Sequence, residues 1–474
     1  GAAVPSINIL RQAVLASSLL LLAGCVSFSK DAGFESVKSA VRERAGAEPR
    51  WARTESDQSE VRETVKRLLA GSVTADAAVQ IALINNRGLQ ATYAELGIAE
   101  ADVVQAGRMR NPGFAFERLT RGEELDIGRA FIFDLLGLLT IPARTRIEQS
   151  RFDVTKTRVA AEASRVAAGT RQAWYAAVAA QEGAKYMEQV KDAAEASAEL
   201  ARRMAQAGNF SKLDQAREQL FYAESTAQLA RLRQTAVAER ESLTRTMGLW
   251  GDDIRYTLPD RLPDLPKAAR EVDQLESVAL TQRLDVRAAM EEAASIATSL
   301  GLTRATGLVS VLEVGYQRNS ETGKPLRKGY DIELRLPIFD WGSARVARAQ
   351  HTYMQAVDRA ADTAVRARSE VRESYDAYRT SYDLARHYRD DIVPLRKRIS
   401  DENVLRYNGM LISVFELLAD ARQQVASVNA YIESLRDFWM AETALQAAMT
   451  GTSPGASGAS RRTAMQAEAT GGGH

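Results

Sequence analysis

The sequence predicts a mixed α+β membrane protein, in which long coiled-coil helices are joined to a few β-strands and one structural plan is used twice. Three observations lead to this prediction. The chain of 474 residues is 7% aromatic and contains only 11 prolines, a composition that favours long helices. Small and apolar residues recur at helical spacing over long runs. Two pairs of short segments alternate apolar with charged residues, one pair in each half.

The charge balance and the reactive side chains exclude several classes of function. With 62 basic and 61 acidic residues, the chain offers no basic stripe for nucleic acid. The three histidines, His351, His387 and His474, lie too far apart in the sequence to suggest a metal site. No nucleophile–base pattern, phosphate loop or metal-ligand spacing is present. We therefore expect no catalysis, no metal and no cofactor apart from covalent lipid.

The N-terminal region has the pattern of a lipoprotein signal peptide, residues 1–24. A twelve-residue apolar run, Ala13 to Gly24, is too short to span a bilayer but has the length of a signal-peptide core. It ends in Leu-Ala-Gly before Cys25, which resembles the bacterial lipobox, where the cysteine becomes the acylated first residue. We expect palmitate on Cys25, and Val26 in place of aspartate favours the outer membrane. The alternative is a buried, unmodified cysteine that behaves as a small hydrophobic residue.

The rest of the chain repeats one plan with an offset of about 200 residues. Each half opens with an Ala-rich helical segment, continues through a strand pair and a proline, and ends in a long helical hairpin. The hairpins turn at polar, Gly-containing points, 206–212 and 406–413. The predicted organisation is a lipid-anchored segment 25–71, a first repeat 72–250, a Pro-rich linker 251–272, a second repeat 273–450 and a flexible tail 451–474.

The long helical runs carry a heptad-like seam that is typical of coiled coils. The run from Gly342 to Arg406, interrupted by no glycine and only by Pro394, would extend about 95 Å as one helix. The matching run in the first half is Ala143 to Ala207. The seam residues in the second half are Ala349, Tyr353, Val357, Ala360, Ala364, Ala367, Val371, Tyr375, Tyr378, Tyr382 and Ala385.

Four segments are predicted as strands: 113–119, 125–135, 308–318 and 330–339. In the last, Tyr330, Ile332 and Leu334 alternate with charged residues. Such alternation suits either an amphipathic sheet over a core or the wall of a membrane barrel. Every long helix already has its own seam, so no further element covers the sheet. Four strands cannot close a barrel, so several copies would be needed. The polar connections 120–124 and 319–328 are predicted to face outward.

Two motifs resemble those of the TolC-like outer-membrane efflux family. The segment 336–342 reads Leu-Pro-Ile-Phe-Asp-Trp-Gly, and a Tyr407-Asn408-Gly409 turn precedes the helix start 415–421, Phe-Glu-Leu-Leu-Ala-Asp-Ala. Degenerate counterparts stand at 140–144 and 207–214. With the duplicated order and the lipobox, the resemblance covers the chain from about Ser72 to Thr450.

The resemblance implies a homotrimer in the outer membrane. Three protomers would form a twelve-stranded β-barrel, continued by a coiled-coil tunnel through the periplasm. The implied role is the passive exit duct of a tripartite efflux system, which receives substrate from an inner-membrane, proton-driven pump through a periplasmic adaptor. Two alternatives are the duct of a type I protein secretion system and a non-channel coiled-coil lipoprotein scaffold.

The resemblance also implies residues at the periplasmic tip. Carboxylates after the second turn would form rings that narrow the pore, here Glu416 and Asp420, with Asp214 in the first half. The family's usual second carboxylate would fall at Ala419, so this chain departs there. The alternative for Glu416 is a helix start that complements the dipole. The residues implied at the hairpin tips and in adaptor docking are Gly208, Asn209, Arg406, Tyr407 and Gly409.

Overall fold

The computed structural model describes residues 27–306, 311–334 and 337–453, so Cys25 and the predicted signal peptide lie outside the described residues. The chain divides into two compact units, and each contains segments of both repeats. The first unit consists of the described residues of 1–36, 93–159 and 286–363, and it contains the sheet. The second comprises ranges within 37–92, 160–285 and 364–474, and it contains the main apolar core and both hairpin turns.

Helices make up most of the described chain. In the first half they are α1 (Phe34–Ala45), α2 (Glu55–Leu69), α3 (Ala75–Asn85), α4 (Arg87–Ala106), α5 (Leu135–Gln206) and α6 (Lys212–Met247). In the second half they are α7 (Leu275–Gln282), α8 (Leu284–Ala305), α9 (Ser343–His387), α10 (Val393–Asn408) and α11 (Val414–Thr450). No described helix is both long enough and apolar enough to cross a bilayer.

The sheet has four antiparallel strands in sequence order: β1 (Gly113–Arg121), β2 (Glu124–Asp134), β3 (Leu312–Glu321) and β4 (Arg327–Leu334). All four strands were predicted from alternation, but the predicted segment 330–339 is wrong in extent, because β4 begins earlier, at Arg327, and residues 337–339 are not strand. The predicted connection 319–328 is wrong in extent, because pairing continues to Asn319 opposite Arg327 and leaves only a five-residue loop. Polar side chains at these positions do not interrupt a ladder that is held by backbone hydrogen bonds.

The long helix of the first half begins eight residues earlier than predicted, at Leu135 rather than Ala143. Asp134, the last residue of β2, accepts a hydrogen bond at Oδ1 from the Gly137 amide at 2.7 Å, which satisfies one free amide of the first turn. Pro142 then lies inside α5. The carbonyl of Gly137 accepts a bond of 2.8 Å from Arg144 Nη2.

The long helix of the second half is not continuous. A π-helical turn, Tyr388–Ile392, separates α9 from α10, and Val393 donates its amide to the Tyr388 carbonyl, five residues back. Pro394 lacks an amide hydrogen and its ring crowds the carbonyl four residues before it, so an ordinary helical bond is lost there. The predicted single run from Gly342 to Arg406 is therefore corrected to two helices joined by a π turn.

The core of the second unit is a cluster of aromatic and aliphatic side chains from both repeats. Tyr175 stacks on Trp439 with ring centroids 5.5 Å apart, and Phe438 packs edge-on against Tyr382. The predicted linker forms no regular element in 255–274, but its Leu262 and Leu265 are buried in this core. The seam residues buried in the chain are Ala367, Val371, Tyr378, Tyr382 and Ala385, whereas Val357 is exposed.

Contacts around a buried arginine hold Gly451 and Ser453, the first residues of the predicted flexible tail 451–474, against the second half of the chain, so the prediction of a flexible tail is wrong for 451–453. The Arg283 side chain is fully buried and forms ion pairs with Asp285 at 2.5 Å and Glu370 at 2.8 Å. Ser453 Oγ lies 2.9 Å from both Glu370 oxygens, and Leu284 donates its amide to the Gly451 carbonyl. The pairing compensates the cost of burying the guanidinium.

Candidate functional site

The sheet separates its side chains by chemistry onto two faces. Residues directly opposite each other across the strands share a face, so the register places Phe114, Phe131, Tyr316 and Tyr330 in one row. We call this side the apolar face. Its other apolar residues are Phe116, Leu125, Ile127, Phe133, Leu312, Val314, Ile332 and Leu334. The aromatic side chains in this set are exposed in the chain, and Tyr330 is 80% exposed.

The opposite side, the acidic face, carries every carboxylate of the four strands. These are Glu117, Glu124, Asp126, Asp134, Glu313, Glu321, Asp331 and Glu333, against two cations, Arg121 and Arg327. Among these carboxylates, Asp134 pairs with Arg110 at 3.4 Å, Glu321 pairs with Lys324 of the following loop at 2.5 Å, and Asp331 accepts from Gln317 at 3.2 Å. A sheet with one apolar and one charged face suits the boundary between lipid and water.

Exposed aromatic residues also follow the sheet. Phe339 is 98% exposed and Trp341 is 63% exposed, in the segment between β4 and α9. Aromatic side chains at the ends of an apolar band are typical of the level where a membrane meets water. Among the residues that the structure describes, β1 and β4 each have one edge without a partner strand.

The first hairpin turn joins α5 to α6 in the second unit. Gly208 has φ +79°, the left-handed conformation that glycine adopts without steric cost. Asn209 follows it and donates its amide to the Met204 carbonyl at 2.9 Å. Ser211 caps α6 by accepting from the Asp214 amide at 3.1 Å, and the Asp214 carboxylate pairs with Arg217 at 3.2 Å.

The second hairpin turn joins α10 to α11. Gly409 has φ −81°, so it does not provide a left-handed turn residue, which here is Met410 at φ 57°. The Arg406 and Tyr407 carbonyls accept from the Leu411 and Met410 amides, respectively. Arg406 pairs with Glu402 on its own helix at 3.4 Å, and the Tyr407 side chain is exposed.

The start of α11 repeats the start of α6. Ser413 accepts from the Glu416 amide at 3.3 Å, as Ser211 does from Asp214. Glu416 is exposed in the chain. Apolar side chains are also exposed beside the turns: Leu213, Leu405, Met410 and Leu411. Exposed apolar residues of this kind are common where another chain binds.

One helical turn further, each half of the chain buries a carboxylate. Asp420 is only 8% exposed, and its Oδ2 has no hydrogen-bond partner within the described chain. Its counterpart Glu218 is 1% exposed and is held between Ser197 Oγ and Arg422 Nη2, each at 3.0 Å. Glu218 and Arg422 were not predicted as site residues from the sequence. The feature that identifies Glu218 is a Ser-x-x-acid-x-x-x-acid pattern, which occurs from Ser211 to Glu218 and again from Ser413 to Asp420.

The carboxylate of Glu199, near the first hairpin turn, is held in its ionised form. Hydrogen bonds from Arg202 and then Arg203 lower the pKa of Glu199 to about 2. The guanidinium of Arg202 approaches the two carboxylate oxygens at 2.6 and 2.8 Å. Glu199 therefore stays charged over the physiological range and neutralises part of the arginine charge at the end of α5.

Solved structures with the same architecture are outer-membrane proteins. The outer-membrane channel CmeC of Campylobacter jejuni is 17% identical and superposes with a TM-score of 0.68, over 93% of this chain and 94% of that chain. The outer membrane protein VceC of Vibrio cholerae is 14% identical, with a TM-score of 0.64 over 85% and 99% of the two chains. The open state of the Neisseria gonorrhoeae MtrE channel is 15% identical, with a TM-score of 0.64 over 79% and 88%.

The chain has the fold of these outer-membrane channels. The predicted fold class, four strands per protomer joined to long helices, is thereby confirmed. No protein-family model and no curated protein sequence matches the chain. Trimer formation, the duplication and the roles of the tip residues stay predictions.

Proposed function

We propose that this chain is the outer-membrane subunit of a tripartite efflux system, a passive exit duct for substrates. In this proposal three copies close a twelve-stranded barrel, and the long helices extend into the periplasm. A periplasmic adaptor and an inner-membrane, proton-driven pump would deliver the substrate. Acyl chains on Cys25 would add an anchor in the outer membrane. The channel fold shared with CmeC, VceC and MtrE supports the proposal.

The observation that carries the proposal is the division of the sheet into an uncovered apolar face and an acidic face, with two open edges. An open edge at β1 and another at β4 must be paired or covered. Because the chain supplies an even number of antiparallel strands, β4 of one copy meets β1 of the next in antiparallel orientation. Copies can therefore close a ring without a break in the pattern.

The hairpin turns are proposed as the periplasmic end of the duct. Exposed Glu416, repeated by threefold symmetry, would place a ring of carboxylates across the pore. Asp214 and Asp420 are proposed to support the same constriction, Asp420 from a buried position in the chain. Gly208, Asn209, Arg406, Tyr407 and Gly409 form the turns, and the exposed Met410 and Leu411 offer an adaptor an apolar contact.

Conductance and oligomeric state test the proposal together. Protein extracted from the outer membrane should be trimeric by light scattering and should give single-channel currents in a planar bilayer. Ile332→Asn, on the apolar face, should lower the yield of membrane-inserted trimer because a polar amide would face lipid. Asp331→Asn, its neighbour on the acidic face, is the matched control and should insert normally. Folded trimers that carry no current would favour a coiled-coil scaffold and overturn the duct.

A further inference from the structure

A row of cations crosses the apolar face of the sheet near the β-turns. Arg129, Arg318 and Lys328 are directly opposite each other on β2, β3 and β4, in the row next to Phe131, Tyr316 and Tyr330. Arg118 lies on the same face of β1, one row nearer the turns. We call these four residues the basic row. Arg118, Arg318 and Lys328 are exposed, and Arg129 is half-buried.

The basic row has no counter-charge within the part of the chain that the structure describes. None of its four side chains forms an ion pair there, and every strand carboxylate points to the acidic face. Neighbouring strands are about 4.8 Å apart, so three cations lie within about 10 Å. Like charges directly opposite each other across strands are destabilising. An anion bound on the apolar face would relieve this repulsion.

The position of the basic row matches the edge of a membrane. From the Leu312–Leu334 pair to the Arg318–Lys328 pair is six residues, about 20 Å along a strand. The apolar band of membrane barrels is about 25 Å tall. Cations at the end of such a band reach the headgroups while their stems stay in contact with apolar surface. The row of Phe114, Phe131, Tyr316 and Tyr330 borders it on the apolar side.

We propose that the basic row binds the phosphate groups of a phosphorylated glycolipid in the outer leaflet, of the lipid A type. The inference rests on the proposed orientation, in which the helices are periplasmic and the β-turns face outward. Arginine and lysine bind phosphate through charge-assisted hydrogen bonds, and arginine binds it in a bidentate manner. The acyl chains of the same lipid would lie against the exposed Tyr316, Tyr330 and Ile332. One lipid would thus neutralise the charge of the basic row and cover the apolar surface beside it.

Native mass spectrometry of the detergent-solubilised protein tests the site with three probes: lipid A, lipid A stripped of its phosphates, and phosphatidylglycerol. Each Lys or Arg near a charged lipid surface contributes about fivefold in affinity. Wild-type protein should therefore bind lipid A at least about tenfold more tightly than the dephosphorylated lipid. Arg318→Gln with Lys328→Gln should lower that difference at least about fivefold, and Arg118 and Arg129 would account for what remains.

The matched control is Arg121→Gln with Arg327→Gln, which removes two cations from the acidic face, Arg327 being the neighbour of Lys328. This control should bind lipid A as the wild type does. Equal loss in the control, absence of a phosphate effect, or tighter binding of phosphatidylglycerol would each overturn the site. Conductance of the same preparations in phosphatidylcholine bilayers separates the two proposals. If the wild-type protein conducts but does not bind lipid A, the lipid site alone is overturned. If the wild-type protein carries no current, the duct is overturned.

Discussion

Glu182 of α5 illustrates how a single half-buried carboxylate makes stability depend on pH. It accepts a bond of 3.1 Å from the Leu262 amide of the linker, but burial outweighs this bond and raises its pKa. Burial disfavours the charged form of an acid. A carboxyl with a raised pKa in the folded state binds its proton more tightly there, so its stabilising effect is present at low pH and is lost as the pH rises through the folded pKa.

Glu182→Gln should therefore stabilise the protein at pH 7 and have little effect below the ordinary glutamate pKa of 4.5. The amide oxygen can still accept from Leu262, and no charge has to be buried. Thermal melts of the trimer by circular dichroism, from pH 4 to 8, measure the difference in melting temperature between variant and wild type. A difference that stays constant over this range would contradict the assignment.

The Glu218–Arg422 pair gives a second residue-scale prediction. The Glu218 side chain is 2% exposed and that of Arg422 is 34% exposed, and the guanidinium also lies 4.5 Å over the Phe221 ring. Arg422→Leu would leave Glu218 buried without its cation, at a cost of about 2 kcal/mol, below the usual range of about 3–5 kcal/mol because solvent screens the partly exposed Arg422.

The double variant Glu218→Leu with Arg422→Leu should recover most of that loss, since apolar residues of similar volume often replace a buried pair without penalty. Thermal melts of the single and double variants measure it. If the double variant were as unstable as Arg422→Leu, the loss would come from packing on Phe221 rather than from the stranded carboxylate.

At the scale of elements, the start of α11 separates two roles for Glu416. As part of a ring across the pore, Glu416→Gln should weaken block by divalent cations added to the helical side by about tenfold, as expected when about 1.4 kcal/mol of charge interaction is removed. If Glu416 only stabilises the start of the helix, Glu416→Gln should lower the free energy of unfolding by a few tenths of a kcal/mol and leave the block by divalent cations unchanged.

Glu402→Gln is the control for this measurement, because Glu402 is an exposed carboxylate on the neighbouring helix α10. Single-channel recordings with and without magnesium decide between the two roles. Equal loss of block in both variants would point to general surface charge rather than to a ring.

The elements differ in how far the sequence predicts them. Strict alternation such as Tyr330, Ile332 and Leu334 identifies a strand and its two faces, because the side-chain period is two. The start of α5 at Leu135 was missed because Gly137 and Pro142 argue against a helix, and the Asp134 cap is visible only in three dimensions. Pro394 marks the break in the second long helix, but the sequence does not show that the break takes the form of a π turn.

The candidate site was predicted less completely than the fold. The motif positions placed both turns correctly, but the left-handed residue of the second turn is Met410 rather than the glycine of the motif, Gly409. Whether a carboxylate is exposed, as Glu416 is, or buried, as Glu218 is, depends on which helices surround it. The basic row was invisible for the same reason, since Arg129, Arg318 and Lys328 are brought together only by the strand register.

At the scale of the whole molecule, Cys25 tests what the lipid contributes. A barrel of three copies would already hold the protein in the membrane, so the acyl chains are expected to act during maturation. Cys25→Ala should lower the amount of processed, assembled trimer several-fold, while the unitary conductance of the trimers that form stays unchanged. Immunoblots of membrane fractions and bilayer recordings measure the two quantities. A changed unitary conductance would show that the lipid shapes the pore itself.

The order of the four strands has a consequence for how the protein meets its surroundings. The chain enters β1 and leaves β4 at the same end of the sheet, and the opposite end carries only a two-residue turn, Gly122 and Glu123, and the loop 322–326. In the proposed orientation, those seven residues are nearly all that each protomer must carry through the bilayer during insertion. They are also nearly all that antibodies or bacteriophages would encounter on the cell surface, so changes there should alter recognition while leaving transport intact.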